Sequence, residues 1–100
     1  MVIRNGSVYW IDFSQGKASE SNGRRPGLVI QNNVLNDSKL NTVIVLAVTS
    51  TMKYGELPGN VVLRKGEANL KKKCVVNVTQ IESVDKRCVR EKIGTLSGYN

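Results

Sequence analysis

The sequence predicts a mainly β domain with an antiparallel, barrel-like sheet and one or two short helices. Short runs of β-branched and aromatic residues recur along the chain, and glycine, proline, asparagine and serine separate them. The runs do not alternate with long helical patterns as βαβ units require. The 100 residues therefore form a single domain over residues 1–100, in which six or seven short strands account for most of the structure.

The first strand is predicted over residues 8–13. Because side chains alternate along a strand, one face is fully apolar and is expected in the core; it carries Tyr9, Ile11 and Phe13. The other face carries Val8, Trp10 and Asp12. On that face Trp10 either packs in the core or stays partly exposed, where it can stack on a base. Residues 14–23 then form a loop that is longer than a typical connection.

The second strand begins at the doublet Arg24-Arg25, which Pro26 and an apolar run follow. Proline fixes its own φ near −65° and disfavours helix at the preceding residue, so Arg25 is expected in extended backbone at the mouth of the strand. The run 28–30 continues the strand, and 31–33 closes it with turn formers. Arg25 is either a solvated arginine or a guanidinium that faces a ligand at the rim of the sheet.

The remaining elements are read from apolar runs and turn residues. Residues 42–48 are almost continuously apolar, so this strand is expected at the centre of the sheet with both faces buried. Further strands are predicted over residues 61–63, 74–78, 80–84 and 89–96. Helical turns are predicted around Val34-Leu35 and over 67–73, a loop over 52–60 and a turn at 85–87.

The charge of the chain indicates an anionic partner. There are 15 basic and 8 acidic residues, for a net charge of +7, which favours nucleic acid, an acidic protein or an anionic membrane surface. The absence of histidine excludes imidazole catalysis and histidine-ligated metals. The carboxylates are scattered and no motif indicates a metal or cofactor site, so an enzyme of this sequence would use arginine, glutamate and hydroxyl groups.

The sequence also predicts a cytoplasmic protein. No apolar run is long enough to span a bilayer, and no signal-peptide pattern opens the chain, so no membrane association is expected. Cys74 and Cys88 are widely spaced and are expected as free thiols that pack like small apolar residues.

Candidate site residues gather where the second strand begins. The preceding loop brings Glu20 and Lys17 next to Arg24 and Arg25. A carboxylate in this position is either a salt-bridge partner or a general base beside a cationic clamp.

Hydroxyl, aromatic and cationic groups follow the central strand. The triplet Thr49-Ser50-Thr51 either terminates the strand or offers hydrogen-bond donors to a phosphate. In the next loop Lys53 precedes Tyr54, a combination of cation and ring that suits single-stranded nucleic acid. Gln80 and the run Lys71 to Lys73 are further candidate RNA contacts, although a lysine run is usually a solvated face.

Several motifs occur in a fixed order over nearly the whole chain. They are residues 6–13, 18–20, 25–32, 42–50 and 79–81, with Asp85-Lys86-Arg87 and Lys92-Ile93-Gly94. This order resembles the MazF/PemK family of toxin endoribonucleases. The resemblance implies an SH3-like barrel of the MazF/PemK/CcdB type. It also implies a homodimer that cuts single-stranded RNA at short sequences, without metal or cofactor, and that a cognate antitoxin blocks.

The resemblance further implies a set of site residues. The family's catalytic arginine falls on Arg25, its active-site threonine on Thr49 and its loop glutamate on Glu20. RNA supplies its own nucleophile, the 2′-OH, so the glutamate would accept the proton while arginine and threonine stabilise the phosphorane. The expected products are a 2′,3′-cyclic phosphate and a 5′-OH. Substrate contacts are expected from Trp10, Lys17, Arg24, Ser50, Lys53 and Gln80.

The chain also departs from the family pattern. Ser7 stands where the family usually has aspartate. Residues Ala18-Ser19-Glu20-Ser21 stand where the family usually has Gly-Ser-Glu-Gln. The family's C-terminal helix is expected to be absent, because the chain stops at Asn100. Two other functions stay open: a CcdB-like poison that binds a topoisomerase without catalysis, and a basic nucleic-acid-binding barrel.

Overall fold

A computed structural model describes residues 2–13 and 23–98 of the chain. These residues form one six-stranded antiparallel sheet that curls into a half-barrel. The strands are β1 (Ser7–Asp12), β2 (Arg24–Val29), β3 (Thr42–Thr49), β4 (Val61–Leu63), β5 (Cys74–Asp85) and β6 (Val89–Thr95). Their order across the sheet is β4-β5-β3-β2-β1-β6. The predicted mainly β, barrel-like class is therefore confirmed.

The helices of the described residues are all short. One α-helix, α1 (Asn33–Asn36), is capped by Asn32, whose side chain accepts a hydrogen bond from the Val34 N–H. Three 3₁₀ segments follow: η1 (Met52–Glu56), η2 (Glu67–Asn69) and η3 (Lys86–Cys88). Within residues 2–13 and 23–98, no helix has the length and apolar character needed to span a bilayer.

The helical turns predicted over residues 67–73 are mostly wrong. The 3₁₀ segment ends at Asn69, and the backbone is already extended at Leu70. Within it, Ala68 and Asn69 have positive φ values of 51° and 61°, which break the helical path. The apolar side chains of Ala68 and Leu70 are buried, so packing of the turn against the sheet outweighs the local preference for helix.

Both faces of the curled sheet bury apolar side chains. The first core contains Tyr9, Ile11, Phe13, Val29, Val43, Val45 and Val89, among others. The second contains Val8, Leu28, Leu46, Val48, Leu63, Leu70 and Val76. Val8 thus belongs to a core, although the alternation of β1 assigned it to the face opposite the predicted core. The sheet folds over that second face, which a pattern within one strand does not reveal.

β5 runs through both of the strands predicted over residues 74–78 and 80–84, and a bulge joins them. Leu46 of β3 pairs with Ile81, whereas its neighbour Ala47 pairs with Asn77, so three residues of β5 have no partner on β3. The buried Asn77 side chain holds this bulge: its Oδ1 accepts hydrogen bonds from the Thr79 N–H at 3.3 Å and the Thr79 hydroxyl at 2.8 Å.

The connection between β4 and β5, residues 64–73, packs across the sheet against β6; we call it the strap. The Glu67 carboxylate accepts hydrogen bonds from the Ser97 N–H at 2.6 Å and from the Ser97 hydroxyl. The Asn69 side chain donates to the carbonyl of Ile93 at 3.1 Å. Because β4 and β6 are the two edge strands of the sheet, the strap ties one edge of the half-barrel to the other.

Candidate active site

The ladder between β2 and β3 stops at Pro26. β2 pairs with β1 from Arg24 to Leu28, but its pairs with β3 extend only over Gly27, Leu28 and Val29. Proline has no N–H to donate to a neighbouring strand, so a ladder on that side cannot continue through it. The two strands are consequently unpaired beyond Gly27, at the end of the sheet that carries Arg25.

Arg25 and Thr49 occupy corresponding positions on either side of this unpaired end. Gly27 pairs with Ala47, and the same register continued by two residues sets Arg25 across from Thr49. Side chains two residues apart on a strand share a face, so both lie on one side of the sheet. Arg25 is half-buried. On its other side it pairs with Ile11 of β1, a residue of the first core. Its backbone is extended at the start of β2, as predicted.

The hydroxyl of Thr49 is oriented by the turn that follows it. Its oxygen accepts a hydrogen bond from the Thr51 N–H at 3.1 Å, which leaves the hydroxyl hydrogen to be donated. A guanidinium and a hydroxyl are both groups that can donate hydrogen bonds to an oxyanion such as phosphate.

The opposite face of the same strand ends borders a groove with a volume of about 400 Å³; we call it the Trp10 groove. Its apolar lining comes from Trp10, Pro26, Val48, Leu70, Cys74 and Ile93. Its polar lining comes from Ser50, Asn69, Lys71 and Lys72. Trp10 is 40% exposed, so of its two possible places the partly exposed one is observed and full burial in the core is not.

Arg24 lies beside the Trp10 groove. Together with Trp10 and Glu91 it borders a shallower cleft. It pairs in register with Asp12, whose carboxylate lies 3.9 Å from the Arg90 guanidinium. The proposed contacts Trp10, Arg24 and Ser50 are therefore brought together around one end of β1, β2 and β3.

Two other predicted contacts lie on separate elements. Lys53 lies in η1, where its ammonium is 5.6 Å from the centre of the Tyr54 ring; the predicted cation and ring therefore contact each other. Gln80 is exposed within the bulge of β5, at the level of Ala47 rather than Thr49. Neither side chain lines the Trp10 groove. Glu20 and Lys17 fall outside the described residues.

The strap supplies site residues that the sequence pattern did not assign to a pocket. Asn69, Leu70 and Lys72 form one wall of the Trp10 groove, and Ile93 of β6 completes it. The lysine run was a visible signal, but it is usually only a solvated face. Its position over Trp10 depends on contacts between residues that lie far apart in the sequence, and local patterns do not encode those contacts.

Both cysteines are free and buried, as predicted. Burial raises the pKa of the Cys74 thiol, against a smaller lowering by the positive charge of Lys72. Burial also raises the pKa of Cys88, and nearby Asp85 and Asp12 act in the same direction. Cys74 therefore contributes an uncharged, apolar surface to the groove at neutral pH.

Known proteins share the sequence features of this chain. The family model described as PemK-like, MazF-like toxin of type II toxin–antitoxin system matches residues 4–99. Endoribonuclease MazF6 of Mycobacterium tuberculosis is 38% identical over 94 residues, which cover 94% of this chain and 82% of that protein. Endoribonuclease MazF2 of Mycobacterium bovis shows the same identity and coverage.

Solved structures show the same architecture. The crystal structure of MazF (Form-I) from Deinococcus radiodurans matches with a TM-score of 0.74 and 29% identity, over 96% of this chain and 83% of that one. The MazE–MazF structure (Form-II) from the same organism matches with a TM-score of 0.74 and 26% identity, over 96% and 82%. The predicted barrel of the MazF/PemK type is confirmed by these similarities.

Proposed function

The chain belongs to the family of PemK-like, MazF-like toxins of type II toxin–antitoxin systems, and we propose that it cuts single-stranded RNA with Arg25 and Thr49 as catalytic residues. Endoribonuclease activity follows from the curated relatives that carry that name. The observation that supports the assignment of residues is the register of β2 and β3, in which Gly27 pairs with Ala47, so that Arg25 and Thr49 each lie two residues beyond the last pair.

The proposed reaction is an internal transfer at phosphorus. The 2′-OH of the nucleotide before the cut loses its proton and attacks the adjacent phosphorus, and the bond from phosphorus to the 5′-oxygen breaks. The 5′-oxygen takes up a proton, which gives a 5′-OH and a 2′,3′-cyclic phosphate. RNA supplies the nucleophile itself, so the protein has to position the phosphate, accept a proton and stabilise charge. DNA lacks the 2′-OH and would not be cut.

Arg25 is suited to stabilise the charged phosphorane. Its guanidinium is a planar cation that can donate two parallel hydrogen bonds to phosphate oxygens. We therefore assign it an electrostatic role. Its half-buried position at the strand end reduces the screening of its charge by water and strengthens that effect.

Thr49 would complete the phosphate site. Its hydroxyl oxygen already accepts from the Thr51 N–H, so its hydrogen is available for a non-bridging oxygen. Glu20 is proposed as the base that accepts the 2′-OH proton, because the family's loop glutamate falls on it. That assignment rests on the sequence motif, since Glu20 is outside the described residues.

Two protein partners belong to the same proposal. A toxin of this family has a cognate antitoxin, and the MazF neighbour from Deinococcus radiodurans was crystallised with MazE. We also propose a homodimer. Ile44 and Ile81 are exposed by 38% and 61%, and they lie on one face because Ile81 pairs with Leu46, two residues after Ile44. A second copy of the chain would cover this apolar surface.

The test is to incubate the purified protein with a long single-stranded RNA in EDTA and to map the ends of the fragments. We expect cuts at a recurring short sequence with cyclic phosphate ends, and their loss in Arg25→Ala. Arg87→Ala is the matched control, because that side chain is 84% exposed and is paired with Asp85 within its own turn. Intact RNA from folded wild-type protein would instead favour a topoisomerase poison or a non-catalytic binding barrel.

A further inference from the structure

The Trp10 groove begins one residue away from the proposed catalytic pair. Pro26 follows Arg25 on β2, and Val48 and Ser50 flank Thr49 on β3. Since successive side chains of a strand point to opposite faces, these neighbours line the groove while Arg25 and Thr49 serve the other face. A nucleic acid strand whose phosphate lies on the pair therefore has only to cross the end of the sheet to reach the groove.

The lining of the groove combines two chemistries that suit a nucleotide. Trp10 presents a partly exposed ring beside Pro26, Val48 and Ile93, and every nucleobase has a face that stacks on such a surface. Lys71 and Lys72 of the strap also line the groove and are both exposed, so they can reach a phosphate.

The groove is also preformed. Its wall is the strap, which the Glu67–Ser97 and Asn69–Ile93 hydrogen bonds hold against β6. The buried side chains of Ala68 and Leu70 anchor the strap in the second core. A wall held at several points can discriminate between bases by shape, which a mobile loop does poorly.

We propose that the Trp10 groove binds one unpaired nucleobase of the RNA substrate next to the scissile phosphate, stacked on Trp10, with a flanking phosphate on Lys71 and Lys72. This inference rests on the proposed endoribonuclease function. The cationic wall and the continuity with the phosphate site favour RNA over a protein segment as the occupant. The groove then becomes a determinant of the sequence at which the toxin cuts.

The experiment uses the fact that Trp10 is the sole tryptophan of the chain. Once the cut sequence has been mapped, a short RNA with a 2′-O-methyl group at the attacking position serves as a non-cleavable probe. Titration should quench or shift Trp10 fluorescence. A set of probes with an abasic site stepped through the positions flanking the cut should lose this change at one position only. In cleavable RNA, an abasic site at that same position should lower kcat/KM about 10-fold or more, which corresponds to the energy of one stacked base.

Variants separate stacking from charge. Trp10→Leu keeps an apolar lining but should abolish the dependence of kcat/KM on the base at that position. Lys71→Gln with Lys72→Gln should raise KM and make binding less salt-dependent, because fewer counterions are released. Lys39→Gln is the control: it removes an exposed lysine from the loop before Thr42, at the other end of β3 from Thr49.

Each outcome decides one point. An equal loss at every abasic position, or no change in Trp10 fluorescence with any RNA, would overturn the nucleobase site. The proposal also fails if the cognate antitoxin changes the fluorescence while RNA does not, since the groove would then be a protein-binding surface. Arg25→Ala should retain the fluorescence change without cutting. If wild-type protein fails to cut RNA, the proposed function fails; titration with single-stranded RNA of mixed sequence, which needs no mapped cut, then still shows whether RNA changes Trp10 fluorescence.

Discussion

Gly94 of β6 faces the backbone of Ala68 in the strap so closely that a Cβ atom on Gly94 would lie 2.3 Å from the Ala68 carbonyl oxygen. That oxygen belongs to the main chain and has no flexible end to move aside. The contact seats the strap on the sheet, and with it the wall of the Trp10 groove. Gly94 is therefore required for its small size rather than for a special φ value, since it is not among the glycines with positive φ.

Gly94→Ala should lower the free energy of unfolding by about 2 kcal/mol or more, because the strap has to move away from β6. Urea denaturation followed by circular dichroism measures this. Gly66→Ala is a suitable comparison: Gly66 has a φ of +96° with no atom near the added Cβ, so its cost comes from the backbone alone. A stability of Gly94→Ala equal to that of wild type would show that the strap is not seated on Gly94.

The bulge of β5 should depend on Asn77. In Asn77→Ala, the Thr79 N–H and hydroxyl lose the oxygen that accepts their hydrogen bonds. The Asn60 side-chain amide, which lies 3.3 Å from Asn77 Oδ1, loses one of its two acceptors. Losing these partly buried hydrogen bonds to the buried Asn77 side chain should cost about 2 kcal/mol in total. Thr79→Val removes a single partner and should cost less. Equal effects of the two variants in urea denaturation would contradict this account.

Arg25 and Thr49 should act on the same phosphate. Arg25→Lys keeps the positive charge but loses the two-pronged geometry, and we expect kcat to fall about 100-fold. Thr49→Val removes one hydroxyl donor at similar volume and should cost about 10-fold or more.

The decisive measurement is the double variant. Two groups that stabilise one transition state give non-additive effects, so the loss in Arg25→Lys/Thr49→Val should be smaller than the product of the single losses. If the loss of kcat in the double variant equals the product of the two single losses, and thermal stability is unchanged, then Arg25 and Thr49 act at separate places.

The buried thiols should make stability depend on alkaline pH. Burial raises the pKa values of Cys74 and Cys88 in the folded protein, so the folded state holds these protons more tightly than the unfolded state. Their contribution is complete below the ordinary thiol pKa of about 8.5 and is lost as the pH rises from there through the folded pKa values.

Urea denaturation at pH 7 and pH 9.5 tests this, with the double variant Cys74→Ala/Cys88→Ala as the reference. The difference in stability between the two pH values should be larger for wild type than for the variant. Alkylation by iodoacetamide should also be slow until the protein unfolds. Rapid alkylation of the native protein would show that the thiols are accessible.

The exposed pair Ile44 and Ile81 should mark the dimer surface. Ile81→Glu places a charge on that face and should shift the protein to a monomer in sedimentation velocity. Leu57→Glu is a control of the same type, since Leu57 is 44% exposed at the end of η1. A monomeric wild-type protein, or an unchanged dimer in Ile81→Glu, would exclude this surface.

The strands could be predicted from the sequence because they depend on local chemistry, whereas the choice of Arg25 and Thr49 as catalytic candidates rests on the resemblance to the family. Pro26 dictates extended backbone at Arg25, and the alternation of β1 correctly buried Tyr9 and Ile11. The second core, with Val8, and the strap over Trp10 could not be found in this way. They arise from the curl of the sheet and from contacts between residues such as Ala68 and Gly94, which no local pattern encodes.

The order of the strands has a consequence during synthesis. β1 lies between β2 and β6. It is the first strand to leave the ribosome, but one of its two edges stays unpaired until β6, the last strand, has been made. When β3 has emerged, Arg25 and Thr49 are already present, yet the strap and β6 are still to be made. At usual rates of translation the remaining residues take on the order of seconds. During that interval the nascent chain lacks its completed groove.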